Sequence, residues 1–273
     1  MIMKSVSILF ILTLFLLSGF VPQQDGTLRP DFKNYYDEYN VEGSFSLYDQ
    51  NENAYLFYNK KQFEQPFTPA STFKILNSLI GLETGVIEDE HHVIEWDGVE
   101  RNPIWDQDHD LQLAYQNSAV WYYQELARRV GEEQMAEWVD KANYGSEDIG
   151  GGIDLFWLDG ALRISLKQQI DFLKKLHESD IPFSDRSIQI TKKIMVETDT
   201  ANYTIRSKTG WGYQDGKEIG WYVGYVETAD NVVYFTNCTQ INSEEVEELE
   251  QAILFDKARK EITQKILKEL NII

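Results

Sequence analysis

The sequence predicts an α+β fold: a mixed antiparallel β-sheet flanked by helices, with an all-helical inserted subdomain. Two observations predict it. Runs of aromatic and β-branched residues bounded by turn residues occur near both ends of the chain, and helical patterns occupy the middle. The 273 residues are 42% hydrophobic, enough for a substantial core. We expect one domain over 24–273, with an α/β part at about 24–85 and 180–273 and a helical part at about 86–179.

The first third of the chain has the pattern of strands followed by a helix. Gly43–Tyr48 and Ala54–Tyr58 flank a turn rich in Asp and Asn, which predicts a β-hairpin. A very apolar segment with helical period follows from Phe73, where Pro69 suits the start of a helix and Gly85 suits its end.

The middle third is predicted to be helical. Ser118–Gly131 is strongly amphipathic and ends in glycine, and a further helix is expected over about 132–143. A glycine-rich loop, 144–154, leads to the apolar segment 155–158. The next helix is expected from Ser165, its N-cap, to about residue 176.

The last third returns to strands. Tyr203–Gly210 and Gly220–Glu227 are separated by the turn signal Gln214–Lys217, and Val232–Asn237 is a third candidate strand. Apolar residues at steps of three and four then predict helix to the end of the chain. Strands at both ends with helices between them are the basis for the predicted sheet with a helical insertion.

The N-terminus has the pattern of an export signal. A short cationic start, Met1–Lys4, precedes an apolar run from Val6 to Phe20 that is too brief for a comfortable membrane span. We therefore expect residues 1–23 to be a signal peptide, and the protein to be secreted, cell-surface or periplasmic. A retained N-terminal anchor is the alternative.

The charge balance and the Cys and His content bear on possible ligands and cross-links. Against 25 Lys and Arg stand 45 Asp and Glu, a net charge of −20, which disfavours nucleic acid or anionic lipid as a partner. The single cysteine, Cys238, lies in an apolar strand candidate, so we expect a buried thiol and no disulfide. The four histidines, including His91, His92 and His109, lack the spacing of a helical or ribbon metal site, and we expect no metal. The oligomeric state stays open.

Ser71-Thr72-Phe73-Lys74 is the first candidate catalytic feature. On a helix, residues i and i+3 share one face, so Ser71 and Lys74 should point the same way, with Lys74 inside an apolar segment. A buried ammonium without a partner tends to lose its proton, which makes the amine available as a base beside a serine nucleophile. Such a short motif also arises readily by chance, and the alternative is a surface helix with Ser71 as N-cap and Lys74 in solvent.

Two further motifs favour the catalytic interpretation. Lys208-Thr209-Gly210 falls at the end of a predicted strand, where small residues let a ligand approach the backbone and a lysine supplies positive charge. Ser118-Ala119-Val120 begins a helix after a loop, where a second hydroxyl can face a cleft. With Ser71 and Lys74, these motifs resemble the active-site signatures of the penicillin-interacting serine enzymes.

The second motif narrows the resemblance to the class D β-lactamases, or oxacillinases, because class A enzymes have Ser-Asp-Asn where this chain has Ser118-Ala119-Val120. Phe156-Trp157-Leu158 and Arg259 also match that family, and Tyr144-Gly145-Ser146 stands in place of its Tyr-Gly-Asn, with serine as the departure. The resemblance runs from about Gly43 to Leu270. It implies the penicillin-recognising serine enzyme fold, a single catalytic domain, β-lactam small molecules as substrates and no metal.

The resemblance also implies a role for each matched residue. Ser71 would attack the β-lactam carbonyl to form an acyl-enzyme, while Lys74, carbamylated by carbon dioxide to N6-carboxylysine and held by the indole N–H of Trp157, would act as general base. The backbone N–H groups of Ser71 and Trp211 would form the oxyanion hole, and Ser118 would pass a proton to the leaving nitrogen. Four further matched residues would bind the substrate: Lys208, Thr209, Gly210 and Arg259. Val120 would help to wall off the lysine.

Other interpretations remain open at the level of sequence. A penicillin-binding or sensing protein would be acylated at the same serine without turnover. A cell-wall peptidase is disfavoured by the short single-unit length and by the expected pocket of Trp157 around the lysine. Taken singly, Trp157 and Val120 are core residues and Arg259 is a solvated helix residue.

Overall fold

The computed structural model describes residues 26–273, so the predicted signal peptide, 1–23, lies outside the described residues. Within 26–273, no helix is long and apolar enough to span a membrane. The strands of the described chain are β1 (Gly26–Leu28), β2 (Glu42–Asp49), β3 (Ala54–Tyr58), β4 (Val196–Asp199), β5 (Tyr203–Gln214), β6 (Lys217–Thr228) and β7 (Val232–Asn242). The helices are α1 (Lys33–Asp37), α2 (Lys74–Glu83), α3 (Leu111–Gln116), α4 (Val120–Val130), α5 (Glu132–Lys141), α6 (Leu166–Glu178), α7 (Asp185–Ile194) and α8 (Leu249–Glu269).

The strands form one sheet in the order β1-β3-β2-β7-β6-β5-β4. Its pairs are antiparallel except for β1 with β3, which is parallel. Strands from both ends of the chain therefore meet in one mixed sheet, and α2 to α7 come between them in the sequence. This confirms the predicted fold class.

Strand β6 shows how the sheet supports a core on each face. Trp221 and Val223 pack in the cluster that includes the residues of α2, α4 and α6, whereas Tyr222 and Val226 pack with α8. Because successive side chains of a strand point to opposite faces, a strand covered on both sides reads as a continuous apolar run. That is why eight successive residues of β6 are buried.

Local chemistry accounts for the predicted turns and caps. Asp215 and Gly216 have φ of +51° and +80°, as in the type I′ turns that favour Asp-Gly in two-residue hairpins. Ser165 caps α6 in a capping box with Gln168, and the helical pattern at the end of the chain is the single helix α8. Cys238 is free and buried in β7, as expected.

Two predictions of local structure were wrong or incomplete. Lys208-Thr209-Gly210 lies inside β5 and not at its end, because β6 pairs with β5 without interruption from Tyr203 to Gln214. Helix α7 and strand β4 were not predicted at all. The buried face of α7 mixes Ser187 and Thr191 with isoleucines, and β4 has only four residues.

Candidate active site

Ser71 lies in a strained turn at the start of α2. The residue before it, Ala70, is fully buried and has φ of +48°, a left-handed conformation that costs a residue with a β-carbon roughly 1–2 kcal/mol. The Ala70 N–H donates to the carbonyl oxygen of Trp157 at 2.9 Å, which holds the turn against the segment after the glycine-rich loop. Such strain is typical of functional sites, where the surrounding structure enforces it.

The structure brings Ser71 and Lys74 together in a buried pocket. Lys74 Nζ is 2.8 Å from Ser71 Oγ, and Lys74 is 0% exposed. Burial lowers the pKa of Lys74 well below its usual value, and the nearby charge of Lys208 lowers it further. Burial therefore favours the neutral amine, which is the form that can accept the proton of the serine hydroxyl.

Trp157 packs against the turn that carries Ser71 and has an unpaired donor. It is fully buried and its ring stacks on Phe73, with centroids 5.3 Å apart. Within residues 26–273, its indole N–H has no hydrogen-bond partner. An unpaired buried donor costs about 1–3 kcal/mol, which makes it a group that favours an added acceptor. A buried lysine with a lowered pKa and a free donor on a tryptophan that packs against the same turn are compatible with a carbamate on the lysine.

Two glycines let strand β5 pass close to the turn that carries Ser71. A β-carbon at Gly210 would lie 3.2 Å from the carbonyl oxygen of Pro69, and one at Gly212 would lie 2.9 Å from Cγ2 of Thr68. Trp211, between them, therefore has its backbone beside the turn of Ser71. The sequence motif pointed to Gly210, whereas the need for Gly212 follows only from how the strand and the turn pack.

Lys208 lies in the same site and is also buried. Its Nζ donates to the carbonyl oxygen of Thr209 at 3.2 Å and lies 5.5 Å from the centroid of the Tyr115 ring. Burial lowers the pKa of Lys208 to about 7; the charge of Arg259 also lowers it, whereas that of Glu197 raises it. A cavity of about 310 Å³ opens beside Lys208 and Thr209, with Glu197 in its wall.

Glu197 is a residue of this site that sequence reasoning missed. Its carboxylate accepts hydrogen bonds from the hydroxyls of Ser207 and Tyr222 and pairs with Lys260. These partners hold a negative charge near Lys208. Since Glu197 lies in the unpredicted strand β4, no signal in the sequence connected it with Lys208.

Arg259 reaches the site from α8 across the sheet. Its Nη1 donates to the carbonyl oxygen of Gly210 at 3.0 Å, and burial lowers its pKa to about 10. A β-carbon at Gly220 would lie 2.7 Å from Cγ of Arg259, so the missing side chain at Gly220 makes room for the arginine. The guanidinium lies 5.3 Å from the centroid of the Trp211 ring, next to the strand that carries the lysine motif.

Ser118 and Val120 stand where α4 begins. Ser118 has φ of +54° and is partly exposed, and Val120, also partly exposed, is the first residue of the helix. Helix α4 thus starts two residues later than predicted. A serine in the left-handed region is a second strained position in this part of the molecule.

The serine that departs from the family pattern is fully integrated in its loop. Ser146 Oγ accepts from the backbone N–H of Arg163 at 3.0 Å, and the Ser146 N–H donates to the Arg163 carbonyl oxygen at 2.7 Å. Gly145 has φ of +61°, and a β-carbon there would lie 2.2 Å from the same oxygen. Ser146 therefore pairs with both backbone polar groups of Arg163.

No group of three or more His, Cys, Asp or Glu side chains in the described chain is placed to hold a metal ion.

The fold and the buried serine–lysine pair define a class of proteins, the penicillin-interacting serine proteins. A family model described as the penicillin binding protein transpeptidase domain matches residues 34–268.

Relatives and solved structures narrow that class. The chain is 41% identical to β-lactamase OXA-48 of Klebsiella pneumoniae, over 88% of this chain and 87% of that protein. The crystal structure of a class D β-lactamase from Sebaldella termitidis superposes with a TM-score of 0.85 at 36% identity, covering 91% of this chain and 100% of that one. Regulatory protein BlaR1 of Bacillus licheniformis is 35% identical over 75% of this chain, but over only 34% of that protein. The chain belongs to the penicillin binding protein transpeptidase domain family and, within it, to the class D β-lactamases.

Proposed function

We propose that this protein hydrolyses β-lactam antibiotics through an acyl-enzyme on Ser71. The observation that carries the proposal is the 2.8 Å contact between Ser71 Oγ and Lys74 Nζ in a pocket whose burial lowers the pKa of the amine. A hydroxyl beside a neutral amine is an activated nucleophile, and the strained four-membered ring of a β-lactam is an electrophile that such a nucleophile opens.

In the acylation step, Lys74 takes the proton of Ser71 as Oγ attacks the carbonyl carbon. The backbone N–H groups of Ser71 and Trp211 donate to the oxygen on which negative charge develops. The carbon–nitrogen bond then breaks, and Ser118 gives its proton to the ring nitrogen, which becomes the amine of the opened ring, while Ser118 takes back the proton that Lys74 had accepted. Water later attacks the ester carbon and gives a proton to Lys74, which returns it to Ser71 Oγ as the acid product leaves.

Lys74 is further proposed to carry a carbamate formed with carbon dioxide. A carbamate supplies a carboxylate base that can activate both Ser71 and the hydrolytic water. The unpaired indole N–H of Trp157 would donate to it, and Val120 would help to keep water from the lysine. The neutral amine is the form of lysine that reacts with carbon dioxide, and burial in the apolar pocket favours that form.

The substrate carboxylate would bind to the cationic side of the site. Lys208 and Arg259 supply positive charge, Thr209 supplies a hydroxyl, and Gly210 leaves space for the ligand against the strand. Both cations are desolvated, so each attracts an anion more strongly than a surface lysine or arginine would. We therefore propose anionic β-lactams as the substrates.

The remaining proposals concern the whole chain. Residues 24–273 would form a single catalytic domain, and residues 1–23 a signal peptide that directs the protein to the cell surface, the periplasm or the medium. The net charge of −20 favours small molecules over nucleic acid as ligands.

A second candidate function uses the same site, but the acyl-enzyme is not hydrolysed and the β-lactam is not turned over. One relative with 35% identity is named regulatory protein BlaR1. Acylation of Ser71 without hydrolysis would make this chain a penicillin-binding or sensing protein.

A chromogenic β-lactam separates these functions. We expect a burst equal to one equivalent of enzyme followed by many turnovers, and no reaction from Ser71→Ala. A burst alone, with a stable adduct on Ser71 in intact-protein mass spectrometry, would favour the sensor. No adduct and no turnover would refute both functions.

A further inference from the structure

The peptide groups on both sides of Ser118 make hydrogen bonds to neighbouring segments. Its φ of +54° is unusual for a residue with a β-carbon. The N–H of Ser118 donates to the carbonyl oxygen of Tyr115 at 3.2 Å, and the N–H of Ala119 donates to that of Ala114 at 2.9 Å. The end of α3 therefore binds the peptide groups on both sides of Ser118.

Trp105, in the loop before α3, binds the carbonyl oxygen of the peptide group that joins Asn117 to Ser118. The carbonyl oxygen of Asn117 accepts a hydrogen bond from the indole N–H of Trp105 at 2.9 Å. The carbonyl oxygen of Trp105 in turn accepts from the indole N–H of Trp121 in α4 at 2.8 Å. Because the peptide joining Asn117 to Ser118 is bonded at both its oxygen and its N–H, its rotation, which sets φ of Ser118, is restricted.

His109 completes this arrangement from the same loop. The ring is fully buried, with Nδ1 2.8 Å from the carbonyl oxygen of Gln107 and Nε2 3.2 Å from Nδ2 of Asn117. A carbonyl oxygen only accepts, so Nδ1 carries the proton, and Nε2 is left to accept from the Asn117 amide. The backbone of His109 also pairs with Ile94, which anchors the ring.

We propose that His109 is a positioning residue for Ser118: by accepting from the side chain of Asn117, it fixes the backbone from which Ser118 presents its hydroxyl. The proposal rests on the function proposed above, in which Ser118 gives a proton to the leaving nitrogen. His109 touches neither substrate nor reacting atoms. Its contribution is to keep the Asn117–Ser118 peptide in the one orientation that this proton transfer uses.

The proposal predicts a defect confined to proton delivery. General acid catalysis contributes typically 10²–10⁴-fold to a rate, and a displaced acid loses part of that. We expect His109→Leu, which removes the acceptor, to slow acylation by a β-lactam by about 10- to 100-fold. His109→Gln should restore most of the rate, because its amide oxygen can accept from Asn117 and its amide N–H can donate to Gln107.

An ester with a p-nitrophenolate leaving group and a matched acyl group provides the selective readout. Phenolate leaves without a proton, so its acylation of Ser71 should change by less than about 3-fold in His109→Leu, whereas the β-lactam rate falls. A β-lactam rate that does not fall, an equal fall on both substrates, or a Gln variant as slow as the Leu variant would overturn the proposal. If His109→Leu does not fold, Asn117→Ala, which removes the other half of the hydrogen bond, replaces it.

Ser118→Ala separates failure of this inference from failure of the proposed function. If Ser118→Ala slows the β-lactam selectively but His109→Leu does not, the positioning role alone is wrong. If Ser118→Ala slows neither substrate selectively, the proton-transfer role proposed for Ser118 is itself wrong.

Discussion

Replacing Trp157 with phenylalanine separates the proposed function of its indole N–H from its role in packing. Phenylalanine keeps a six-membered ring that can stack on Phe73, but it lacks the N–H that has no partner in residues 26–273. We therefore expect a nearly unchanged stability and a large loss of turnover.

The stability change is the sum of opposing contributions. The smaller ring vacates on the order of 40 Å³, which costs about 1 kcal/mol at roughly 24 cal/mol per Å³, and the lost apolar contact costs about 1 kcal/mol more. Removing an unpaired buried donor returns about 1–3 kcal/mol. The free energy of unfolding should therefore change by no more than about 1 kcal/mol, or about 4 °C in Tm.

The turnover should fall because Trp157 is the donor proposed to hold the carbamate. Loss of a general base costs typically 10²–10⁴-fold, and we expect kcat to fall by about 100-fold or more while the acylation burst survives. Thermal unfolding and steady-state kinetics are measured with and without added bicarbonate. Bicarbonate should raise both Tm and kcat of the unmodified protein and neither of the variant.

Two results would refute this reasoning. A fall in Tm of more than about 8 °C would mean that the indole N–H makes a stabilising contact in the absence of bicarbonate. A variant that retains turnover and still responds to bicarbonate would mean that Trp157 does not hold the carbamate. Trp138→Phe, a partly buried tryptophan that stacks on Phe183 away from Ser71, is the matched control and should retain full kcat.

The other predictions concern substrate binding. We expect kcat/KM for an anionic β-lactam to fall as the pH rises through about 7, because free Lys208, with its pKa near 7, loses the proton that attracts the substrate carboxylate. Glu197 raises the pKa of Lys208, so Glu197→Gln should move this limb of the pH profile to lower pH; an unmoved limb would contradict the assignment. Gly220→Ala would place a β-carbon 2.7 Å from Cγ of Arg259, and the displaced guanidinium should raise KM by about 10-fold or more with a smaller effect on kcat. A KM that is unchanged would show that Arg259 does not bind the substrate.

Much of the local structure could be predicted because it depends on residues near one another in the chain. The i and i+3 spacing of Ser71 and Lys74 is enough to place them on one side of a helical turn. In the structure, Lys74 Nζ and Ser71 Oγ lie 2.8 Å apart. The hairpin at Asp215-Gly216 and the cap at Ser165 follow equally from short-range backbone chemistry. The fold class followed from the order of such segments.

Tertiary structure decided the features that join distant segments. Gly212 and Gly220 are required only because the turn of Ser71 lies on one face of the sheet and Arg259 crosses the other. Glu197 acts near Lys208 only because the unpredicted strand β4 pairs with β5.

The sequence by itself determined the identity and spacing of the proposed nucleophile and its base, because a helical turn brings Ser71 and Lys74 together without help from the rest of the chain. Only the tertiary structure decided that Lys74 is fully buried, that Trp157 holds an unpaired donor, and that Lys208 has its pKa near 7. These properties come from the removal of water by segments far apart in sequence. Spacing along the chain cannot specify them, since desolvation depends on every element that packs around a group.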